Sequence, residues 1–224
     1  METFKVIEIK KSIYDENQKD ADELRKELLD NDVMLINVMS SPGSGKTTAL
    51  TSTINHLKAE FEIGVLEADI DSDVDAVTIA KTGAKVIQLH TGGMCHLDAS
   101  MTRQGLEALG FENLDIAILE NIGNLICTAG YDTGASKNVM ILSVPEGDDK
   151  PLKYPPMFAM ADVLLISKID VLEHFDFDMD ACKTRAKNLN PNIEIFPISA
   201  KTGEGIEPWV EWLKTETLKI QGGN

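Results

Sequence analysis

The chain has 224 residues, 43% of them hydrophobic, and carries 21 basic against 37 acidic side chains for a net charge of −16. That length suffices for one well-buried core, and the acidity, with no run of Lys or Arg able to follow a phosphate backbone, argues against nucleic acid and anionic membranes as partners. No apolar stretch approaches the roughly 20 residues that span a bilayer. The amino terminus METFKVIEIKK lacks the apolar core of a signal peptide, so a cytoplasmic protein is expected. The three cysteines, Cys95, Cys127 and Cys182, make no disulfide framework and read as thiols for packing, metal or reactivity.

Taken in chain order, Asp15 to Leu29 sets Ala21, Leu24 and Leu28 along one stripe and predicts an amino-terminal helical extension over about 15–30. It holds no His-rich or Cys-rich tract, so no metal storage is assigned to it. Short, mostly continuous apolar runs follow at Val33–Met39, Ile63–Ala68, Val86–Leu89, Ile116–Leu119, Val139–Val144, Val163–Ile166 and Ile193–Ile198, the pattern of strands buried on both faces. Amphipathic segments at Thr47–Ala59, Ala99–Leu109, Met179–Leu189 and Ile206–Leu218 lie between or after them. The alternation predicts one α/β domain over 1–224, a mostly parallel sheet covered by helices on both faces in three α/β/α layers.

Between the first strand and the next helix lies SSPGSGKT, Ser40 to Thr47. A strand feeding a glycine-rich loop that opens a helix is the context of a phosphate loop, and it makes the fold a P-loop NTPase. Backbone N–H groups of Gly43, Ser44, Gly45 and Lys46 can surround phosphates, Lys46 adds a point charge, and the Thr47 hydroxyl, with Thr48 beside it, faces the cation side. Lys46 is the first catalytic candidate, because charge on the transferring phosphoryl group needs a fixed counter-charge.

Two later strand ends carry the base-reading signals LLISKID and SAKTGEG. Asp170 can accept from both N1–H and the 2-amino group of guanine, where adenine offers no donor, so GTP is the expected nucleotide. Ser167, Lys168, Ser199, Ala200 and Lys201 complete the predicted base pocket. Magnesium needs hard oxygen ligands. The stretch EADIDSDVDA supplies Asp69, Asp71, Asp73 and Asp75 just past a strand end, and DIAILEN supplies Glu120. Asp69, Asp75 and Glu120 are favoured with Thr47, and Asp75 is the second catalytic candidate, although the four close acids also suit a solvated loop.

Soft donors flank this machinery. HTGGMCHLDA sets Cys95 beside His96, and Cys127 follows Glu120 by seven residues. Thiolate with imidazole suits Zn²⁺ or Ni²⁺, yet isolated Cys and His residues also serve in packing, and both readings stand on spacing alone. Adjacent side chains share one ion only where the backbone is irregular, which Gly92 and Gly93 permit. Three donors leave a site incomplete unless water or a second copy in a symmetric dimer supplies the rest. Cys182 reads as a buried helix residue.

Together SSPGSGKT, CHLDA, ENIGNLIC, SVPEGDDKPLKYPPMF and SAKTGEG closely resemble the HypB family of hydrogenase maturation GTPases, over nearly the whole chain. The resemblance implies a slow GTPase of the SIMIBI class whose homodimer forms around GTP. It also implies that Cys95, His96 and Cys127 match nickel or zinc ligands, that Asp69 and Asp75 match the family's aspartates after the second strand, and that Glu120 matches its magnesium-side acid. It further implies a HypA-type zinc metallochaperone and a hydrogenase large-subunit precursor as partners. Ser167 stands where the family has Asn, Gly93 and Met94 where it has Lys and a small residue, and Thr128 where Pro follows the Cys. Urease or carbon monoxide dehydrogenase is therefore an alternative recipient. Rival readings are a nucleotide-responsive nickel or zinc store and an ATP-dependent small-molecule kinase.

Overall fold

A computed structural model of the chain describes residues 9–69 and 74–222, with the backbone alone for residues 9–14 and 69. Asp71 and Asp73 lie outside the described residues. The seven apolar runs form the strands β1 (Met34–Ser40), β2 (Ile63–Asp69), β3 (Lys85–His90), β4 (Ile116–Glu120), β5 (Lys137–Ser143), β6 (Val163–Ser167) and β7 (Glu194–Pro197). They make one sheet in the order β3-β2-β4-β1-β5-β6-β7, and every pairing is parallel.

The helices are α1 (Ile9–Asp30), α2 (Lys46–Leu57), α3 (Val74–Ala80), α4 (Ala99–Leu109), α5 (Lys150–Lys153), α6 (Pro155–Met160), α7 (Met179–Leu189) and α8 (Ile206–Gln221). Successive side chains of a strand point to opposite faces, so each continuous apolar run feeds two cores. Met34, Ile36 and Val38 of β1 pack with Leu50 and Ile54 of α2 and Trp209 and Leu213 of α8. Leu35 packs on the other face with Leu24 and Leu28 of α1 and Leu106 of α4. Further along that face Met140, Leu142, Leu164 and Ile166 meet Met157 and Phe158 of α6 and Cys182 of α7. The predicted stripe of α1 is thus a core seam.

Two features differ from the sequence expectation. The end of the acidic stretch is not all loop: α3 starts at Val74 because Ala76 and Ile79, three residues apart, reach the core. The segment after β5 folds as α5 and α6, each with proline in its first turn, where the missing N–H is no loss. Among the described residues no helix is long and apolar enough to cross a membrane.

One polar row interrupts the apolar centre. Asn37, fully buried in β1, donates from Nδ2 to Asn138 Oδ1 and accepts at Oδ1 from Asn121 Nδ2, both at 3.0 Å. Asn121 Oδ1 then accepts from the Ile122 N–H at 2.9 Å, which shapes the first turn of the loop leaving β4. Each buried amide is satisfied, so the row fixes alignment without an unpaired group. Replacing Asn37 by Ala leaves the buried Asn121 donor unmatched; chemical denaturation is expected to show a loss of about 1–3 kcal/mol.

Candidate functional site

In parallel sheets all strands end on the same side, and ligands bind beyond those carboxyl ends. Here β1 ends at Ser40 and the loop to α2 closes through Gly45, whose left-handed backbone (φ 91°, ψ 26°) forms the N-cap of α2. Lys46 and Thr47 are the first two residues of that helix. Ser167 at the end of β6 donates from Oγ to the Ser44 carbonyl at 2.7 Å, and Lys168 donates from Nζ to the Gly43 carbonyl at 2.7 Å. The hydroxyl of Ser167, which stands where the family pattern has Asn, is thus committed to the phosphate loop.

Lys168 itself holds φ at +60°, one of two non-glycine residues in that region among the described residues. Such strain persists where surrounding contacts over-determine it and it clusters at functional sites. The turn aims Asp170 across to Ser199, whose Oγ donates to Asp170 Oδ1 at 2.7 Å. The Ile169 N–H bonds to the Ile198 carbonyl at 3.2 Å, so the two predicted base-reading loops are joined. Ser44, Gly45, Thr48, Ser167, Lys168, Asp170, Ala200 and Lys201 all line one cavity of about 390 Å³. Ser199 stands behind Asp170, fully buried.

The acids gather beside Thr47. Its hydroxyl donates to Glu120 Oε1 at 3.0 Å. Glu67, Asp75 and Glu120 bring one carboxylate oxygen each within 4.8 Å of one another, the one such group of three His, Cys, Asp or Glu donors among the described residues. Three hard oxygens and a hydroxyl form a donor set that suits Mg²⁺. Asp69 closes β2, and its side chain lies outside the described residues.

Glu67 is the member that sequence reasoning missed. It sits inside a strand, opposite Glu120 in the β2–β4 register, and is 2% exposed. The signal was present: an acid within an otherwise apolar run is rarely buried without a partner or ion.

The soft donors meet from two loops in pairs, Cys95 with His96 and Cys95 with Cys127, and the three do not close to the spacing of the acid group. Cys95 and His96 lie after the positive-φ pair Gly92 and Gly93, whose irregular backbone lets adjacent side chains face each other: Cys95 Sγ and His96 Nδ1 are 3.9 Å apart. Cys127 arrives from the loop after β4 and shares a hydrogen bond with Cys95, which, ahead of burial, pushes the Cys127 thiol above its ordinary range. Burial lowers the His96 pKa, partly offset by the Asp98 charge. The His96 ring stacks on Tyr131, with centroids 3.7 Å apart and planes 10° from parallel.

Cys127 is held by Asn124, whose Oδ1 accepts from the N–H groups of Ile126 and Cys127 at 2.7 and 2.9 Å. Thr128, which stands where the family pattern has Pro, is buried, and its hydroxyl donates to the Asn124 carbonyl. Cys182 is remote from this cluster, in the core, where burial pushes its thiol up to about 12.

The two donor sets share one loop. Glu120 begins it, Cys127 ends it, and between them Gly123 lies so close to the phosphate loop that a Cβ there would come within 3.1 Å of the Pro42 nitrogen.

The chain is similar to known proteins over most of its length. Residues 34–197 match the family model described as CobW/HypB/UreG, nucleotide-binding domain. The hydrogenase maturation factor HypB of Rhizobium leguminosarum bv. viciae is 42% identical over 215 residues, which cover 96% of this chain and 72% of that protein. The hydrogenase/urease maturation factor HypB of Helicobacter hepaticus is 42% identical over 206 residues, 90% of this chain and 84% of that one. The crystal structure of HypB from Helicobacter pylori in complex with nickel superposes with a TM-score of 0.86 at 39% identity, covering 91% of this chain and 96% of that one. With a shared P-loop fold, and likeness running through nearly the whole length, the chain belongs to the HypB family of hydrogenase maturation factors.

Proposed function

We propose that the protein is a GTP-hydrolysing metallochaperone, which holds nickel or zinc as cargo at Cys95, His96 and Cys127 and releases it according to the nucleotide bound. The observation that carries this reading is the shared loop from Glu120 to Cys127. One end accepts from Thr47, the middle rests on Pro42, and the far end is hydrogen-bonded to Cys95. A change in the phosphate loop or its cation is therefore felt at the thiols, and linkage requires the reverse effect of metal on nucleotide.

Guanine recognition rests on Asp170, whose carboxylate is steadied by Ser199 so that it can accept from N1–H and the 2-amino group. Ala200 and Lys201 flank the same cavity. The backbone N–H groups of Gly43 to Lys46 cradle the phosphates, and Lys46 offsets charge on the transferring group. Thr47, Glu67, Asp75 and Glu120, with Asp69 adjoining, would hold Mg²⁺, which supplies charge neutralisation on the terminal phosphates. Asp75, on the exposed side of that trio, is the candidate to orient water.

Slow turnover is in keeping with the arginines. Arg25 pairs with Asp132, Arg103 with Glu27 and Arg185 with Asp148, so each guanidinium of the chain is engaged in an ion pair away from the phosphate loop. A homodimer completes the three-donor metal set, and the HypA-type partner, hydrogenase large-subunit precursor and cytoplasmic setting follow from the family. Urease is the second recipient, favoured by the likeness to the hydrogenase/urease maturation factor of Helicobacter hepaticus.

Removing the Lys46 charge by Lys46→Ala is expected to slow phosphate release from GTP by about a hundredfold or more in single-turnover assays. Asp170→Asn keeps an oxygen to accept from N1–H but sets a donor against the 2-amino group of guanine, and competition assays are expected to show at least about a hundredfold weaker GTP binding, with xanthine nucleotide, whose 2-oxo group accepts, now preferred. Nickel dissociation should differ between protein loaded with a non-hydrolysable GTP analogue and with GDP, and Cys95→Ala should abolish tight binding in both. Equal release from the two nucleotide states would leave only the storage reading.

A further inference from the structure

The amino-terminal helix reaches the soft donors through one side chain. Asn17 of α1 donates from Nδ2 to the Asp132 carbonyl at 3.0 Å and accepts at Oδ1 from the Ala99 N–H at 3.0 Å. Ala99 is buried and opens α4 three residues after His96. Asp132 follows Tyr131, whose ring covers His96, and lies five residues after Cys127. A single amide thus ties the loop that carries Cys95 and His96 to the loop that carries Cys127.

The anchor is itself fixed. Arg25 Nη2 lies 2.7 Å from both carboxylate oxygens of Asp132, and its Nε donates to the Ala135 carbonyl at 3.1 Å. Leu24 and Leu28 bury the same helix in the core beneath α4. Asn17 is the place where donor and acceptor are needed at once: a carboxylate could accept from Ala99 but not donate to Asp132, and an aliphatic side chain could do neither.

We propose that Asn17 is a positioning residue for the metal donors, setting the separation of the two loops and so the fit of Cys95, His96 and Cys127 around one ion. The inference rests on the metal-carrying role proposed above. Because Asn17 touches none of the phosphate-loop or base-pocket residues, its direct effect is on the metal donors, and nucleotide binding by the metal-free protein does not depend on it.

The test uses the whole chain loaded with GDP and titrated with Ni²⁺. Thiolate-to-nickel absorption reports coordination, and competition with a metallochromic chelator reports affinity. Asn17→Leu, which removes both hydrogen bonds, is expected to weaken Ni²⁺ binding about tenfold and to change the absorption band, with Asn17→Asp in between and the GDP affinity of the metal-free protein unchanged. An Asn17→Leu protein with wild-type nickel affinity and band overturns the inference. So does a parallel loss of GDP binding in both variants, which would mark a general loss of fold. A wild-type band that survives Cys95→Ala removes the metal-carrying role itself, and the inference with it.

Discussion

A parallel register that lines up Glu67, Glu120 and Val38 across three neighbouring strands governs the rest of the molecule. Because β1, β2 and β4 end on one side, the phosphate loop, the two buried acids and the loop to Cys127 leave the sheet together. Asp75 then brings a third carboxylate to within 4.8 Å from α3. Carboxylates so close repel one another, and in a poorly solvated place the repulsion is large. A divalent cation would offset it, and under the function proposed above the order of this corner would then depend on the cation and the nucleotide. The asparagine row through Asn37 keeps the register from sliding, since a shift of one residue would break every amide pair in it.

The soft donors depend on the same corner at second hand. Cys127 owes its position to Asn124, Asn124 to a loop whose start is pinned by Asn121 and Glu120, and that loop lies against Pro42. On its other flank the donor pair leans on Tyr131 and, through Ala99 and Asp132, on α1. The soft donors are therefore held between a loop that rests on Pro42 and a helix that is packed into the core.

Much of this was legible in the residues. The seven apolar runs and the long amphipathic segments fell where the strands and main helices are, because strands buried on both faces and helices with a stripe leave strong periodic signals. The phosphate loop and the SKID and SAK loops were readable from their chemistry. Glu67 was not, because the denser acids after the strand offer the same chemistry, and its meaning depends on the strand it faces. The Asn17 bridge and the His96–Tyr131 stack were out of reach for a different reason: the first spans 115 and 82 residues, and only the fold makes neighbours of such positions. The short helices α5 and α6 left no period to detect at four and six residues.

The core thiol has a practical corollary. With its proton retained up to about 12 and its side chain wholly enclosed, Cys182 offers no thiolate to an alkylating reagent near neutrality. Modification of the native chain is thereby confined to two sulfurs, and both belong to the candidate cargo cradle. A count of labelled thiols per molecule reads the state of that cradle with no background from the interior.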